Sequence, residues 1–409
     1  MNQNSTTKQL LKLPVIVAAL GYLVDMYDLF LFSVVRVPSL KALGVADDKL
    51  LPEGVFLLNM QLAGLLIGGV LWGIMGDKKG RLSVLFGSII LYSLANMANG
   101  LVQTLPQYAA LRFIAGVGLA GELGAGITLV AELLPQKLRG YGAVIVSTMG
   151  VLGGILAYFV ADLFEWRISY FVGGGLGLLL LILRINVFES GLFLKIKSEK
   201  IDRGDIMMIF GNGKRLKKYF LAIVAGMPIW FVVGVLVTFS PEFGKAHGLL
   251  HAIIAGKAVM LSFLGQTFGN LACGVLSQRL QSRKKAIAIF MLLSFGTMLV
   301  YLLAPIGSTL LFYVIIAIIG FFNGYWTLFI MMAAELFGTN IRATVATSIP
   351  NFVRGSAIPL TSAFAFLKTN TSLGVNNAAV TIATITVVVA MSALYFLEET
   401  FSKDMNYVE

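Results

Sequence analysis

The sequence predicts an all-α polytopic membrane protein with twelve transmembrane helices in two pseudo-symmetric six-helix halves. Three observations lead there. Of the 409 residues, 58% are apolar and only 12% charged, about half the charge of an ordinary soluble domain, and mean hydropathy is +0.87. The apolar positions, about 240 of them, match what twelve spans of about 20 residues require. The chain also repeats itself. Ala131-Glu132-Leu133 with Arg139 returns as Ala334-Glu335-Leu336 with Arg342, Gly121 returns as Gly324, and Gly73 returns as Gly274, at offsets of 201 to 203 residues. The same composition excludes a disordered, collagen-like or coiled-coil chain. The single cysteine, Cys273, excludes an intrachain disulfide or a thiolate cluster.

Apolar runs punctuated by Gly, Pro and charge clusters place the elements in order. The first, 14–37, follows a short polar tail; it exceeds a signal-peptide core and lacks a small-residue cleavage site, so it reads as a retained helix. The second, 53–75, ends in the turn Gly73-Ile74-Met75-Gly76-Asp77-Lys78-Lys79-Gly80-Arg81, which separates it from the third at 82–102. The fourth, 108–134, carries a glycine string and stops at Pro135. The fifth and sixth follow at 141–163 and 168–188. A long polar stretch, Glu189 to Lys218, then divides the chain. The second half supplies 219–240, 252–276, 284–304, 308–336, 343–367 and 378–397. The expected domains are therefore 1–188, a linker at 189–218, and 219–409. Two parallel six-helix repeats are the build of rocker-type secondary transporters, with the site near the midplane between them.

The net charge of +11 is mostly topology. Lys and Arg number 22 on the side bearing both termini and the linker, against 6 on the other, so both termini are expected in the cytoplasm and no nucleic-acid site is implied. Three bases remain inside the spans: Arg112, Lys257 and Arg354. Three acids, Asp25, Asp28 and Glu122, accompany them. A lone charge at mid-membrane costs about 2.5–3.5 kcal/mol on insertion scales, so these groups must face a cavity and pair. At 1.5 Å per residue, Asp25, Glu122 and Arg354 fall about 16–21 Å from a helix end, at the midplane, and Asp28 lies within the reach of an arginine stem from Arg112.

The glycine-rich turn at 73–81 suits a latch. Its glycines let helix ends approach, Asp77 can face a helix N-terminus, and Arg81 can pair with Glu132. The string resembles the signature loop of the major facilitator superfamily, and Gly274 to Lys285 resembles its degraded second copy, with Gln278 in place of the Asp. Gly-x-x-x-Asp25-x-Tyr27-Asp28, the Arg112…Gly121-Glu122 string and Glu189-Ser190 resemble the metabolite:proton and phosphate:proton symporter branches, and more distantly the sugar porters. The resemblance spans nearly the whole chain. It implies proton coupling by Asp28 and Arg112, and a gating set of Gly73, Asp77, Arg81, Glu132, Arg139, Glu335 and Arg342; Asp25 and Glu122 read as further members of the coupling group or as substrate ligands. A static buried ion pair is the alternative for Asp28 and Arg112. Leu123 and Gly234 stand where the phosphate branch has Tyr and an acid, which disfavours inorganic phosphate.

Arg354, in Asn351-Phe352-Val353-Arg354-Gly355, has a fork suited to a carboxylate or phosphate ester; the alternative is that it neutralises Asp25 or Glu122. The resemblance also implies that spans one, four, seven and ten line the cavity. That adds Tyr27, Trp230, Asn323, Tyr325 and Trp326 as candidate substrate contacts, to which Asn351 beside Arg354 and Gln61 of the second span are joined. Gln61, Asn59, Gln266 and Asn270 fit interhelical hydrogen bonding equally well. Lys257 reads as snorkelling to water, Arg36 and Lys41 as flanking the outer mouth, and His247 and His251 as solvated loop residues rather than metal ligands. No nucleophile–base pair, phosphate-cradling loop or metal cluster is legible, so no enzyme, metal or cofactor is expected, and a proton gradient supplies the driving force. The leading expectation is a symporter importing a small polar, anionic metabolite by alternating access. Proton-antiport efflux of a cationic or hydrophobic compound is the second reading, and a non-transporting receptor of the same fold the third. By resemblance the setting is a bacterial inner membrane, and the partners are protons, the substrate and the lipid bilayer, with the chain monomeric.

Overall fold

The computed structural model describes residues 13–79, 81–122, 139–184 and 211–401, which are helical almost throughout. We number the helices by the predicted spans. The first six are α1 (Leu13–Ala42), α2 (Leu50–Lys79), α3 (Arg81–Asn99), α4 (Leu105–Leu119), α5 (Arg139–Leu163) and α6 (Trp166–Arg184). The other six are α7 (Gly213–Phe231, extended by a π-helical turn over Val232–Val237), α8 (Ala255–Leu280), α9 (Arg283–Leu303), α10 (Thr309–Phe322 and Trp326–Glu335), α11 (Thr339–Gly355 and Ala357–Asn370) and α12 (Gly374–Phe396). Among the described residues, eight helical stretches have the length and composition to cross a membrane. The side chains of Asp77, Arg81, Arg139 and Arg342, and all of Glu132, lie outside the described set.

Local chemistry sets the boundaries. Thr104 and Gln107 form a reciprocal capping box at the start of α4, and Ser282 and Ser308 accept the backbone N–H groups of Lys285 and Leu311 at the starts of α9 and α10. Spans one and two run longer than the sequence suggested, at 30 residues each, or about 45 Å of helix. Two spans expected to be continuous are broken. Span ten turns at Asn323–Tyr325 and span eleven at Ser356. In α7, Pro228 lacks the N–H for the preceding turn, and the helix widens just beyond it, where the backbone N–H of Thr238 reaches back five residues to Val233.

Beside an apolar core, large apolar side chains face outward and several charges are buried. Phe268, Leu271, Val275, Val388 and Phe396 are each more than half exposed, as lipid-facing side chains are. Seven charged side chains (Asp25, Asp28, Arg36, Arg112, Glu122, Arg184 and Arg354) are no more than 2% exposed.

The chain gathers into two compact units. One comprises residues up to Leu31 with Ala63–Asp205, the other Phe32–Leu62 with Ile206–Glu409. In the first, Gly64 and Gly68 of α2 lie against the backbone of α4 at Phe113 and Val117, where an added methyl would overlap the carbonyls. In the second, Gly265 and Gly269 of α8 lie in the same way against Ala317 and Phe321 of α10. These glycines are 201 residues apart, so the repeat is visible as packing: small residues bring the second and fourth helix of each half into backbone contact.

Candidate functional site

In the first unit, Asp25 and Asp28 share one face of α1 at i, i+3 spacing, with Gly21 one turn before Asp25. Asp28 lies in the field of both Asp25 and Arg112, beside the amide of Asn96 on α3. It fits against α6 because residue 173 is glycine; a Cβ there would overlap its carboxylate. Arg112 of α4 donates to the Tyr170 hydroxyl at 3.5 Å, which bonds that of Tyr108 at 2.6 Å. The Tyr27 hydroxyl donates to the Ser169 carbonyl at 2.8 Å, fastening α1 to α6.

Glu122 does not join this group. Its carboxylate takes both prongs of the Arg184 fork, with Nη1 on Oε2 at 3.0 Å and Nη2 on Oε1. Arg184 also donates to the Leu85 carbonyl at 3.2 Å. Gly21 accommodates the pair: a side chain there would collide with both groups. Arg184, counted in the sequence among the basic residues of the cytoplasmic side, is 1% exposed. It ends a run of leucines and isoleucine, and an arginine closing such a run was the available signal.

In the second unit, Arg354 is fully buried, with its guanidinium carbon 5.9 Å from the Trp230 ring centre. Asn323, at the break in α10, donates to the Ile229 carbonyl next to Trp230 at 3.3 Å. Tyr325, Asn351 and Gln61 are buried in the same unit. Trp326 stacks on Phe329 with ring centres 6.0 Å apart. Asn270 acts as the predicted glue, accepting the Thr327 N–H at 3.2 Å, and caps the second piece of α10. Asn59 likewise binds Thr361 at 2.7 Å and Ser362 at 2.9 Å. Lys257 lies over the Tyr313 ring at 4.9 Å.

Arg36 corrects another expectation. Rather than flanking a mouth it is 0% exposed, bound to Glu242 at 2.8 Å and lying 4.4 Å over the Phe239 ring. It also donates to the carbonyls of Leu50 at 3.2 Å and Thr238 at 3.3 Å, and Ser33 meets Thr238 at 3.0 Å. The phenyl ring and the acid that satisfy it lie more than 200 residues away, so sequence spacing gave no sign of the pairing. His247 is likewise not a free loop residue, since its ring nitrogen bonds the Tyr301 carbonyl at 2.8 Å. Among the described residues no group of three or more His, Cys, Asp or Glu is placed to hold a metal.

Of the expected gating residues, Glu335 is buried and faces the Arg283 guanidinium at 3.6 Å, while Thr400 donates to it at 2.6 Å. This is the second-copy counterpart of the Arg81–Glu132 pairing expected in the first half. No described atom lies within 4 Å of where a Cβ of Gly73 or Gly274 would stand.

These features coincide with what the chain is similar to. It is 26% identical over 398 residues to the "Probable 4-methylmuconolactone transporter" of Cupriavidus pinatubonensis, covering 93% of this chain and 89% of that one. It is 25% identical over 361 residues to the niacin transporter NiaP of Acinetobacter baylyi, covering 80% of each. Its backbone superposes on the xylose transporter XylE from E. coli in an inward-open conformation with a TM-score of 0.73, at 17% identity, over 96% of this chain and 97% of that one. The family described as Major Facilitator Superfamily matches residues 18–362, and with its apolar helices, repeated glycine packing and charged interior, the chain is a transporter belonging to that superfamily.

Proposed function

We propose that the protein is a proton-coupled symporter importing a small anionic metabolite, with unsaturated and aromatic monocarboxylates the favoured class and both termini in the cytoplasm. The observation that carries the coupling is that the buried Asp28 lies in the field of both Asp25, one turn before it on α1, and Arg112 of α4. Burial and like charge favour a protonated carboxyl, while the guanidinium favours a carboxylate. Movement of Arg112 relative to α1 therefore switches the proton affinity, and proton and substrate binding favour each other by the same coupling free energy.

Arg354 supports an anionic load. It is a buried cation against an indole face, on which a planar ring can lie while its carboxylate meets the guanidinium. The relatives that transport niacin and a muconolactone support the same class. Efflux of a cation sits badly with Arg354.

The test uses proteoliposomes with an inward acid gradient and labelled nicotinate and benzoate. The wild type is expected to accumulate at least one of them uphill. Asp28→Asn should lose gradient-driven accumulation yet keep counterflow. Arg354→Ala should weaken binding by about 1.5–3 kcal/mol, tenfold or more. Unchanged uphill uptake in Asp28→Asn would sink the coupling assignment, and uptake of cations indifferent to Arg354 would sink the substrate class.

A further inference from the structure

One face of α3 is polar yet lies inside the first unit. Tyr92, Asn96 and Asn99 recur at i, i+4 and i+7, over about 10 Å of helix, with Ser93 at their border. All four are no more than 1% exposed. The Asn96 amide lies beside Asp28. The Tyr92 and Ser93 hydroxyls and the Asn99 amide have no hydrogen-bond partner among the described residues. A serine or threonine inside a helix can satisfy its hydroxyl on a carbonyl one turn back, as Ser88 does on Leu85, Thr267 on Phe263 and Thr386 on Ile382. Ser93 instead turns its hydroxyl to α6, where residue 177 is glycine and a Cβ would overlap it. Gly173, one turn earlier on α6, gives the same clearance to the Asp28 carboxylate. Buried polar groups are kept where something bonds them, and one buried water bonds about three at once.

We propose that this face of α3 holds a file of water, bonded by Asn99, Asn96, Ser93 and Tyr92, through which protons reach Asp28 from the α3–α4 turn without crossing the substrate site. The file rests on the unpartnered groups, and its destination rests on the proton-coupling reading. At one end the face comes within two residues of solvent. Asn99 is followed by Gly100 and by Leu101, which is 65% exposed, and Arg167 pins that turn by donating to the Gly100 and Val102 carbonyls at 3.0 and 2.8 Å. At the other end Tyr92 lies in the field of Glu122 and Arg184 as well as of Asp28. Asp28 itself is faced by Asp25 and Tyr27 from α1, Arg112 from α4 and Tyr170 from α6, and the file approaches it from α3. A chain of waters and hydroxyls is a competent proton carrier, so the route needs no side chain on α3 to ionise.

The experiment is X-ray radiolytic footprinting of the full-length protein in detergent without substrate. Radiolysis of a bound water makes a hydroxyl radical in place, which oxidises the adjoining side chain even where bulk solvent does not reach, and mass spectrometry reads the site. Tyr92 should be oxidised several-fold faster than Tyr301, which is equally buried but donates its hydroxyl to the Leu236 carbonyl at 3.3 Å. In Asn96→Leu the Tyr92 rate should fall toward that of Tyr301. Proteoliposomes give the second readout. Asn99→Leu should slow proton-driven accumulation of nicotinate or benzoate several-fold and leave counterflow, which needs no net proton entry, at the wild-type rate. Tyr92 oxidised no faster than Tyr301 would overturn the file, and wild-type accumulation rates in Asn99→Leu would overturn the route. Should either variant not fold, the wild-type comparison of Tyr92 with Tyr301 decides by itself. A wild type in which Tyr92 is oxidised but no proton-driven uptake occurs would lose the coupling reading and leave the file standing.

Discussion

Replacing Arg36 should expose how much one buried arginine contributes to holding Phe32–Leu62 against the later helices of its own unit. Its guanidinium has four partners: the Glu242 carboxylate, the Leu50 and Thr238 carbonyls and the Phe239 ring. Arg36 is 0% exposed and Glu242 only 17%, so truncation to Ala leaves an acid and two carbonyls short of their donor with little solvent to replace it. Removing one partner of a buried pair costs about 3–5 kcal/mol. With about 2.1 cal/mol/K of unfolding entropy per residue spread over 409 residues, that corresponds to a fall in melting temperature of about 3–6 °C. Part of the loss is packing, since the long stem of Arg36 fills the space beside Gly54. A double-mutant cycle separates the two parts. Arg36→Met keeps most of the stem, Glu242→Gln keeps the shape of the acid, and the combined variant removes the charge pair without leaving either ion alone. In detergent-solubilised protein the double should melt above the sum of the singles, with a coupling of about 1.5–3 kcal/mol for a charge-assisted bond. Strict additivity of the two singles, or an Arg36→Met protein as stable as the wild type, would refute the reasoning.

Two further predictions concern the second unit. Burial alone would raise the Glu399 carboxyl, but the Ser282 hydroxyl and the N–H groups of Arg283, Phe401 and Thr400 outweigh it and hold it below its ordinary value of 4.5. A depressed carboxyl stabilises the fold above the unfolded value and loses that contribution as pH falls through the folded one. The melting-temperature gap between wild type and Glu399→Gln should therefore be full above pH 4.5 and close below it; a gap constant with pH would contradict the contact. Gly269→Ala should force α8 away from the Phe321 carbonyl and cost about 1–3 kcal/mol. Gly274→Ala, five residues on in the same helix and facing open space, should be neutral or stabilising by up to about 1 kcal/mol. Equal melting temperatures for these two variants would show that the backbone contact is not tight.

The helical framework was legible because membrane composition leaves few alternatives. Apolar runs of about 20 residues separated by charge admit one reading, and the 201-residue offset seen in Gly73 and Gly274 recurs in the glycines that set α2 on α4 and α8 on α10. Asp25, Asp28 and Arg112 were legible for the same reason, since a charge inside such a run demands a partner. Arg184 and Arg36 escaped because they close apolar runs, where counting charges by side treats an arginine as solvated. Only three-dimensional packing shows that each folds back to a distant acid. The break at Asn323–Tyr325 escaped because it carries no proline and hydropathy runs on across it, whereas that at Ser356 had a signal in Pro359, which lacks the N–H that would bond the Gly355 carbonyl.

The two halves repeat in packing but not in chemistry, and that asymmetry bears on how such a carrier couples its loads. The glycine contacts recur almost residue for residue, so both halves have the same rigid pairing of second and fourth helices. The mid-span charges differ between the described parts of the two halves. Among the described residues, the first unit buries Asp25, Asp28 and Glu122 with Arg112 and Arg184, while the second places Arg354 against an indole. A proton site and an anion site built in the same unit would compete for one set of charges. On the proposed function the two sites lie in separate units, so each draws on its own charges. On this reading, a substitution that alters the charge of the first unit should change how transport depends on pH more than how tightly the anion binds. A substitution at Arg354 should do the reverse, a contrast that measured affinities and pH profiles of the same two variants decide directly.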